Sequence, residues 1–356
     1  MNRRSFIASS AAVIGAGWAR REAFGTSYDR VPPEGAVYDV VVYGATASGV
    51  IAAVTAARQG LQTVLLEPGR RVGGMVSGGL GWTDFATSDD GAVIGGFARE
   101  FFSRVGRFYG AERTRRFNES VGNPRLGDVG WYFEPHVAEN IMRQMLEEAG
   151  VVTSFGSRLR QTMAVKKNHT NVSEILLDNG RSYQGRVFID ATYEGDLMAQ
   201  AGIAYTVGRE TRSTYDEPLA GVLKANRDVA LASSRQQAMP AGTSAYNSPG
   251  KLIVGVVPAP SQALGSADRK VQAYCFRLCL TKTPDNRIPF SRPEGYNPAQ
   301  YELHARVMHA MQANDNNRPP TLRRFLKNSS IPNGKTDSNN QGPASTDFVN
   351  ASWEYP

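Results

Sequence analysis

The stretch of sequence that decides the fold is YDVVVYGATASGVIAAVTAARQGLQTVLLE, residues 38–67. Its first six residues are rich in β-branched side chains, as in a buried strand of a parallel sheet. The alanine-rich segment from Val50 to Gln59 predicts a helix that ends at Gly60, and 61–66 predicts a second buried strand. Strand, helix and strand in about 30 residues form a βαβ unit, the building block of a Rossmann-like α/β fold.

The turn between the first strand and the helix predicts a dinucleotide site. Such a turn needs glycine where the backbone approaches a pyrophosphate, and an acid about 20 residues further on to bind the ribose hydroxyls. Gly49 is the last glycine, Glu67 supplies the acid, and Thr46 replaces the usual middle glycine, with its hydroxyl or its N–H available to the phosphate. The alternative is an ordinary doubly wound unit with an empty turn. The predicted contacts are Gly44, Ala45, Thr46, Ala47, Ser48, Gly49 and Glu67.

The segment after Glu67 distinguishes a flavin from a nicotinamide cofactor. Two arginines precede the glycine-dense run GGMVSGGLGW, residues 73–82. Glycine lets the backbone pass close to a large flat group, whereas a nicotinamide-type domain usually continues into another helix here. The pattern therefore favours FAD, and an NAD(P)-dependent dehydrogenase or a flexible lid without a ligand are the alternatives. The predicted FAD contacts in this segment are Arg70, Arg71, Gly73, Gly74 and Met75.

Segments spread along the chain resemble the FAD-dependent oxidoreductase family, which includes many secreted bacterial members. They are VVYG (41–44), GGMVSGGLGWTD (73–84), WYFEPHVA (131–138), FIDATYEGD (188–196), AYTVGRE (204–210) and PNGKTD (332–337). The resemblance covers nearly all of 38–356, and it extends more remotely to the flavin subunit of heterodisulfide reductases. It implies a glutathione-reductase-type flavoprotein with FAD as cofactor, and it places Val151 or Val152, of which we take Val152, where backbone meets the adenine.

The middle of the chain supports a flavin fold independently. A helix over 135–148 is followed by short strands at 151–156, 159–166 and 173–178, which predict a β-meander. Arg186–Ile189 predicts a buried strand that returns to the first sheet and ends in Ala191 and Thr192. We expect these two residues to lie near the cofactor, because ligands bind at the carboxyl ends of parallel strands.

These features divide the chain into a FAD-binding domain at 38–204 and an inserted α+β substrate-binding lobe at 205–330. In the lobe we predict strands at 203–208, 252–257 and 271–281, and helices at 298–313 and 320–327. Family members usually continue past residue 356 into a segment that covers the flavin. We therefore expect 331–356 to be an ordered loop that leads to a C-terminal part missing from this chain.

Residues 1–25 resemble a twin-arginine export signal. Arg3 and Arg4 precede Phe6, a mild apolar stretch follows, and small residues stand near position 25. The prediction is a periplasmic or extracellular protein whose partner during export is the twin-arginine translocase, and a disordered tail is the alternative. No apolar run reaches the roughly 18 residues of a membrane span, so we expect no stable span.

Charge argues against a nucleic-acid partner. The net charge is +7, and it falls to +4 without residues 1–25, which carry four arginines and one glutamate. A nucleic-acid-binding domain usually has a clustered basic face. The densest basic patch, 113–116, is predicted to be a solvated helix face.

Few residues stand out as catalytic candidates. His136 begins the helix at 135–148, where the helix dipole favours a neutral imidazole that can act as a base, although a capping or packing role is the alternative. Arg209 is a candidate for binding a substrate or for pairing with Glu210.

We expect Cys275 and Cys279 to be buried thiols without a disulfide, since four residues of strand span about 13 Å. No motif indicates a metal site.

Two functions follow from these predictions. The leading one is an exported oxidoreductase in which bound FAD takes a hydride equivalent from a small organic donor. The non-enzymatic alternative is a nucleotide-binding fragment without turnover. No sequence feature predicts the oligomeric state.

Overall fold

A six-stranded sheet forms the centre of the computed structural model. The model describes residues 35–84, 91, 93–223, 240–254, 256, 261–271, 274–321, 327–338 and 347–348. The strand order is β3-β2-β1-β6-β5-β4. The strands are β1 Val37–Tyr43, β2 Thr63–Glu67, β3 Val152–Phe155, β4 Val165–Asn168, β5 Asn171–Leu176 and β6 Ser182–Asp190. Strands β3, β2, β1 and β6 are parallel, and β5 and β4 extend the sheet antiparallel.

Helices cover one face of the parallel strands. They are α1 Ala47–Arg58, α2 Gly96–Tyr109 and α4 Pro135–Glu148, while α3 Ala111–Ser120 packs against α2. Because side chains alternate along a strand, Val40 and Val42 pack into the core beneath these helices, while Val41 and Tyr43 pack into a second core with β5 and β6. Both faces of β1 are therefore buried, which explains its run of apolar residues.

The remaining described elements are short. Two small helices are α5 Asp196–Gln200 and α6 Arg212–Tyr215, and a longer one is α7 Glu302–Ala313. The strands are β7 Tyr246–Ser248, β8 Lys251–Leu252, β9 Tyr274–Cys275, β10 Leu278–Thr281, β11 Asn328–Ile331, β12 Lys335–Ser338 and β13 Asp347–Phe348. Strands β10, β12 and β11 form a three-stranded antiparallel sheet. In the described ranges, no helix is both long and apolar enough to cross a membrane.

The structure confirms the Rossmann-like α/β class and the predicted βαβ unit. The first helix begins at Ala47 rather than at Val50, because the Thr46 side chain caps it by accepting the N–H of Gly49. The helix at 135–148 has the predicted limits. The helix predicted over 298–313 is also present, with a 3₁₀ turn at Pro298–Tyr301 before α7. The basic patch at 113–116 lies on α3, where its arginines are exposed, as predicted.

Several predicted strands were wrong. Residues 159–166 contribute only the start of β4 and an isolated bridge from Leu159 to Leu177, so the meander consists of β4, β5 and β6 while β3 joins the parallel strands. Residues 203–208 form no strand, and 271–281 divides into β9 and β10. For 203–208 the reason is that β-branched and aromatic residues in a loop-rich region show the strand composition without a pairing partner.

Other differences concern elements that the sequence did not predict. Helix α2 was missed, α3 was predicted only as a helix face at 113–116, and 331–338, expected within a loop, belongs to the hairpin of β11 and β12. Cys275 and Cys279 form no disulfide, as predicted, but both are exposed rather than buried. In the strand predicted at 252–257, only the end of β8 is present among the described positions. Most of 320–327 and all of 1–25 lie outside the described residues.

Candidate functional site

The carboxyl ends of three parallel strands meet at one edge of the sheet. Tyr43, the last residue of β1, lies opposite Leu66 of β2 on one side and Asp190 of β6 on the other. The turn 44–49, Glu67 and Ala191 follow these strand ends directly. The fold therefore assembles at one edge most of the residues that the sequence assigned to a cofactor, as expected for a doubly wound sheet.

Two glycines in the turn have no room for a side chain. Gly44 has φ +98°, and a Cβ there would lie 2.9 Å from the backbone nitrogen of Thr192. A Cβ on Gly49 would lie 1.9 Å from the carbonyl oxygen of Gly44 and 3.0 Å from the Ala191 Cβ. These contacts bring the turn, the start of α1 and the end of β6 close together, the packing that the glycines of a dinucleotide turn permit.

Thr46 takes the place of the middle glycine without blocking the turn. Its hydroxyl donates to the Ala191 carbonyl oxygen at 2.7 Å and accepts the N–H of Gly49 at 3.2 Å. The hydroxyl is thus directed into the protein, and the backbone N–H is the group of Thr46 that can face a phosphate. The parallel bridge between Thr46 and Gly73 turns the N–H of Ala47 toward the glycine-rich segment, whereas in the described part of the chain the N–H of Ser48 meets no acceptor. A helix N-terminus with open N–H groups attracts anions.

Glu67 connects the acid position to the turn. One carboxylate oxygen accepts the N–H of Ala45 at 2.7 Å, and the other accepts the N–H of Gly69 at 2.6 Å. A carboxylate has about four lone-pair positions, so each oxygen can still accept a hydroxyl donor. The two hydrogen bonds fix the orientation of the carboxylate beside the turn, where a ribose diol would need it.

The glycine-rich loop, residues 73–82, starts against the same turn. The N–H of Gly73 donates to the Ala45 carbonyl oxygen at 2.7 Å. A Cβ on Gly74 would lie 2.2 Å from the Tyr193 hydroxyl oxygen, which also accepts the N–H of Met75 at 2.7 Å. The predicted contacts Gly73, Gly74 and Met75 therefore adjoin the turn, and Tyr193, which follows the predicted contact Thr192, packs against Gly74 and Met75.

The two arginines before this loop face helix α4 or solvent. Arg71 forms an ion pair with Glu139 at 2.8 Å, and Arg143 donates from Nη2 to the Arg70 carbonyl oxygen at 3.0 Å. Both predicted contact residues have exposed side chains. The guanidinium of Arg71 is thus bound to the protein, and the side chain of Arg70 extends from the surface next to it.

Ala191 and Thr192 lie at the turn, whereas Val152 lies away from it. The N–H of Ala191 donates to the Tyr43 carbonyl oxygen at 2.8 Å, and the Thr192 hydroxyl donates to Asp190 at 2.7 Å. Val152 starts β3 opposite Val64, while Phe155 is the residue opposite Glu67. Three residues of strand, about 10 Å, therefore separate Val152 from the strand end that carries the site.

The two catalytic candidates occupy different surroundings. His136 is exposed in the first turn of α4, and its pKa lies below the usual value because partial loss of water outweighs the attraction of Glu134. Arg209 does not pair with Glu210. Its guanidinium binds the carboxylate of Asp268, with Nε 2.9 Å from Oδ1, and the Arg209 and Asp268 backbones form an isolated bridge.

A buried cluster beside this edge was not predicted. The carboxylate of Glu134, 1% exposed, accepts hydrogen bonds from Lys335, from Asn333 at 2.5 Å and from the Tyr109 hydroxyl at 3.0 Å. Burial alone raises the pKa of Glu134, but these donors, above all Lys335, outweigh it and lower the pKa. The signal was the family-like segments 131–138 and 332–337, which the structure brings into contact.

The turn and its surroundings fit a dinucleotide. Glycine is present where the turn, α1 and β6 pack closely, the N–H of Ser48 in the first turn of α1 is open, and an oriented carboxylate stands at the second strand end. Together, the fold and site define a dinucleotide-binding protein of the Rossmann type.

Comparison with protein families identifies the family of dinucleotide-binding proteins to which the chain belongs. The sequence matches the FAD dependent oxidoreductase family over residues 39–355, and the chain belongs to that family. By its name, this is a family of oxidoreductases that depend on FAD. No curated protein matches the sequence.

Some solved structures match part of the chain. L-proline dehydrogenase from P. horikoshii is 15% identical over 51% of this chain and 59% of its own, with a TM-score of 0.34. L-amino acid deaminase from Proteus vulgaris is 14% identical over 51% and 61%, with a TM-score of 0.33. The halogenase PltM in complex with FAD is 15% identical over 49% and 38%, with a TM-score of 0.32. The chain thus matches less than two thirds of the length of each.

Proposed function

We propose that the chain holds FAD against the turn 44–49 and that the bound flavin takes a hydride equivalent from a small organic donor. The observation that carries this proposal is the Glu67 carboxylate, fixed by the Ala45 N–H beside the N-terminus of α1. This arrangement offers a ribose acceptor and a pyrophosphate cradle at one strand edge. The first part of the glycine-rich loop lies next to both.

Different residues of the chain would bind different parts of FAD. The turn and the N–H of Ser48 would hold the pyrophosphate, Glu67 would bind the ribose diol, and Gly73, Gly74 and Met75 would lie beside the cofactor on the side of Tyr193. When bound, the flavin supplies the electron-accepting chemistry, while the protein provides orientation and proton transfer.

His136 is the residue that we propose as the base. Helix α4 leads into the amino end of β3, so its first turn lies toward the carboxyl edge of the sheet, on the side of the cofactor turn. Its exposed ring and lowered pKa favour a neutral imidazole at neutral pH. In this role His136 accepts the proton that a hydroxyl or amine of the donor loses as its carbon is oxidised.

Anaerobic reduction of the flavin tests the reaction. The full chain, reconstituted with FAD, is mixed without oxygen with panels of alcohols, 2-hydroxy acids, amines and sugars, and the visible flavin absorbance is followed. We expect one chemical class to bleach the flavin and a quinone or oxygen to restore the colour. A flavoprotein that dithionite reduces but that no donor class reduces would contradict the proposed hydride transfer.

We also propose export by the twin-arginine translocase, on the strength of Arg3 and Arg4 in the sequence. Fractionation of a bacterium that expresses the full chain, followed by N-terminal sequencing, tests this. We expect a processed periplasmic form that starts near residue 26, and its loss in the Arg3→Lys/Arg4→Lys variant. An unprocessed cytoplasmic chain in both cases would contradict export.

A further inference from the structure

The glycine-rich loop is fixed at both of its ends. Its start is held by the hydrogen bond from Gly73 to the cofactor turn. At its end, the Gly81 carbonyl oxygen accepts the N–H of Phe133 at 3.0 Å, and the N–H of Trp82 donates to Oδ2 of Asp337 at 3.2 Å. The second end is therefore held by a residue 255 positions away in sequence.

Asp337 is buried and paired with Arg277. The Asp337 side chain has no exposed surface, and Arg277 Nη1 lies 3.0 Å from Oδ1 and 3.3 Å from Oδ2. Arg277 also stands against the middle of the loop, because a Cβ on Gly79 would lie 2.5 Å from the Arg277 Cβ. The ion pair thus contacts the loop at two positions, Gly79 and Trp82.

The strand that carries Asp337 is itself anchored. Lys335, two residues earlier on β12, binds the buried Glu134, and Asn333 in the hairpin turn binds the other oxygen of the same carboxylate. Because Glu134 immediately precedes α4, the hairpin is joined to the helical layer of the Rossmann unit. Asp337 therefore holds Trp82 from a fixed support rather than from a free loop.

A buried ion pair is seldom the most stabilising choice, since a well-packed apolar pair of similar volume is often as stable. What the carboxylate adds is an acceptor in a defined place for one backbone N–H. We propose that Asp337, with Arg277 as its counter-ion, is a positioning residue that sets the path of the glycine-rich loop and thereby the surroundings of FAD. This inference rests on the proposed function.

Three variants of the full chain separate positioning from stability. Asp337→Leu removes the acceptor and leaves Arg277 buried without a counter-ion. Arg277→Met/Asp337→Leu removes the acceptor but leaves no unpaired charge. Asp268→Leu is the matched control, because Asp268 also pairs with an arginine, Arg209, and accepts a backbone N–H, from Lys270 at 3.0 Å, while no described contact joins it to the loop.

The measurements are the dissociation constant for FAD, the visible circular dichroism of the bound flavin and the midpoint of thermal unfolding. We expect Asp337→Leu to lower the midpoint and to weaken FAD binding about tenfold, a change of one charge-assisted hydrogen bond. In the double variant, the midpoint of thermal unfolding should return most of the way to the wild-type value. FAD binding should stay weak and the dichroism should stay altered. Asp268→Leu should lower the midpoint with wild-type binding and dichroism.

Two results overturn the inference. Wild-type FAD affinity and dichroism in the double variant would show that the pair is merely structural, and equal loss of FAD affinity in Asp268→Leu would show a general effect of instability. The double variant carries the test even where Asp337→Leu alone does not fold. A wild-type chain that binds no FAD would overturn the proposed function as well, so the two failures are distinguishable.

Discussion

Glu67 and Ala45 are 22 positions apart in sequence, and a hydrogen bond of 2.7 Å joins the carboxylate of one to the backbone N–H of the other. This contact ties the end of β2 to the turn after β1, so the ribose-binding acid and the phosphate turn form one unit. The βαβ connection makes the contact possible, because the two parallel strands end side by side.

Replacement of Gly49 by alanine is predicted to destabilise the turn. The new Cβ would lie 1.9 Å from the Gly44 carbonyl oxygen, so backbone must move. Overpacking of this kind costs about 1–3 kcal/mol in the free energy of unfolding. Gly95→Ala is the control, since a Cβ there has nothing within 4 Å. Urea unfolding of both variants measures the difference, and equal stabilities would show that the turn is not tightly packed.

Replacement of Glu134 by glutamine is predicted to destabilise the chain strongly. The variant would leave Lys335 without its counter-ion. The glutamine NH₂ group would also replace one of the two carboxylate oxygens and would face a donor instead of accepting from it. Loss of one partner of a buried ion pair costs about 3–5 kcal/mol. In the control, Glu112→Gln, both members of the exposed pair with Arg116 stay in water, so the cost is about 0–1 kcal/mol. Urea unfolding that gives both variants wild-type stability would contradict the buried network.

Acid is predicted to weaken the contact between helices α1 and α2. Glu100 on α2 accepts hydrogen bonds from Arg58 and Arg104, which lower its pKa to about 2 from the ordinary 4.5. A lowered pKa in the folded state stabilises the fold above pH 4.5, and this contribution is lost as pH falls toward 2.

The stability difference between wild type and Glu100→Gln should therefore shrink across this window. Urea unfolding at a series of pH values measures it, with the exposed Glu119→Gln as the control. A stability difference that does not change with pH would mean that these arginines do not stabilise the ionised form of Glu100.

The rate of flavin reduction is predicted to depend on the protonation of His136. As a base, the imidazole must be neutral, so the rate should be full above its pKa and fall as pH decreases through it. Because that pKa lies below the usual 6.5, the fall should occur below pH 6.5. Stopped-flow reduction of His136→Asn should be slower and should lose this pH dependence, whereas His309→Asn should keep it. An unchanged profile in the His136 variant would assign its role to packing.

The sequence was sufficient for the parts of the fold that local patterns define. The run 38–67 predicted the βαβ unit, since buried parallel strands and a capped helix have strong local signals. The hydroxyl of Thr46 shows the limit of this reasoning, because its acceptor, the Ala191 carbonyl oxygen, lies 145 positions away. The pairing of Arg209 with Asp268 rather than with Glu210 has the same origin.

The cluster around Glu134 was beyond local reasoning for the same physical reason. Its donors Asn333 and Lys335 lie about 200 positions along the chain, and they belong to a hairpin that the sequence presented as a polar loop. Asparagine, glycine and lysine are typical of exposed turns. Only the pairing of β11 with β12 turns these residues into the partners of a buried acid.

Binding of FAD by the full chain tests the central claim most directly. Titration of the purified protein with FAD, followed by calorimetry and by the visible spectrum, should give one site per chain. Glu67→Gln should weaken binding about 10- to 100-fold, because hydrogen bonds to a charged acceptor contribute about 1.5–3 kcal/mol.

Asp39→Asn is the matched control for that titration, since this carboxylate accepts the N–H of Gln62 at 2.9 Å at the opposite end of β1. The account predicts wild-type FAD binding for Asp39→Asn and weak binding for Glu67→Gln. A chain that binds no FAD, or a Glu67→Gln variant that binds it as tightly as wild type, would contradict the account.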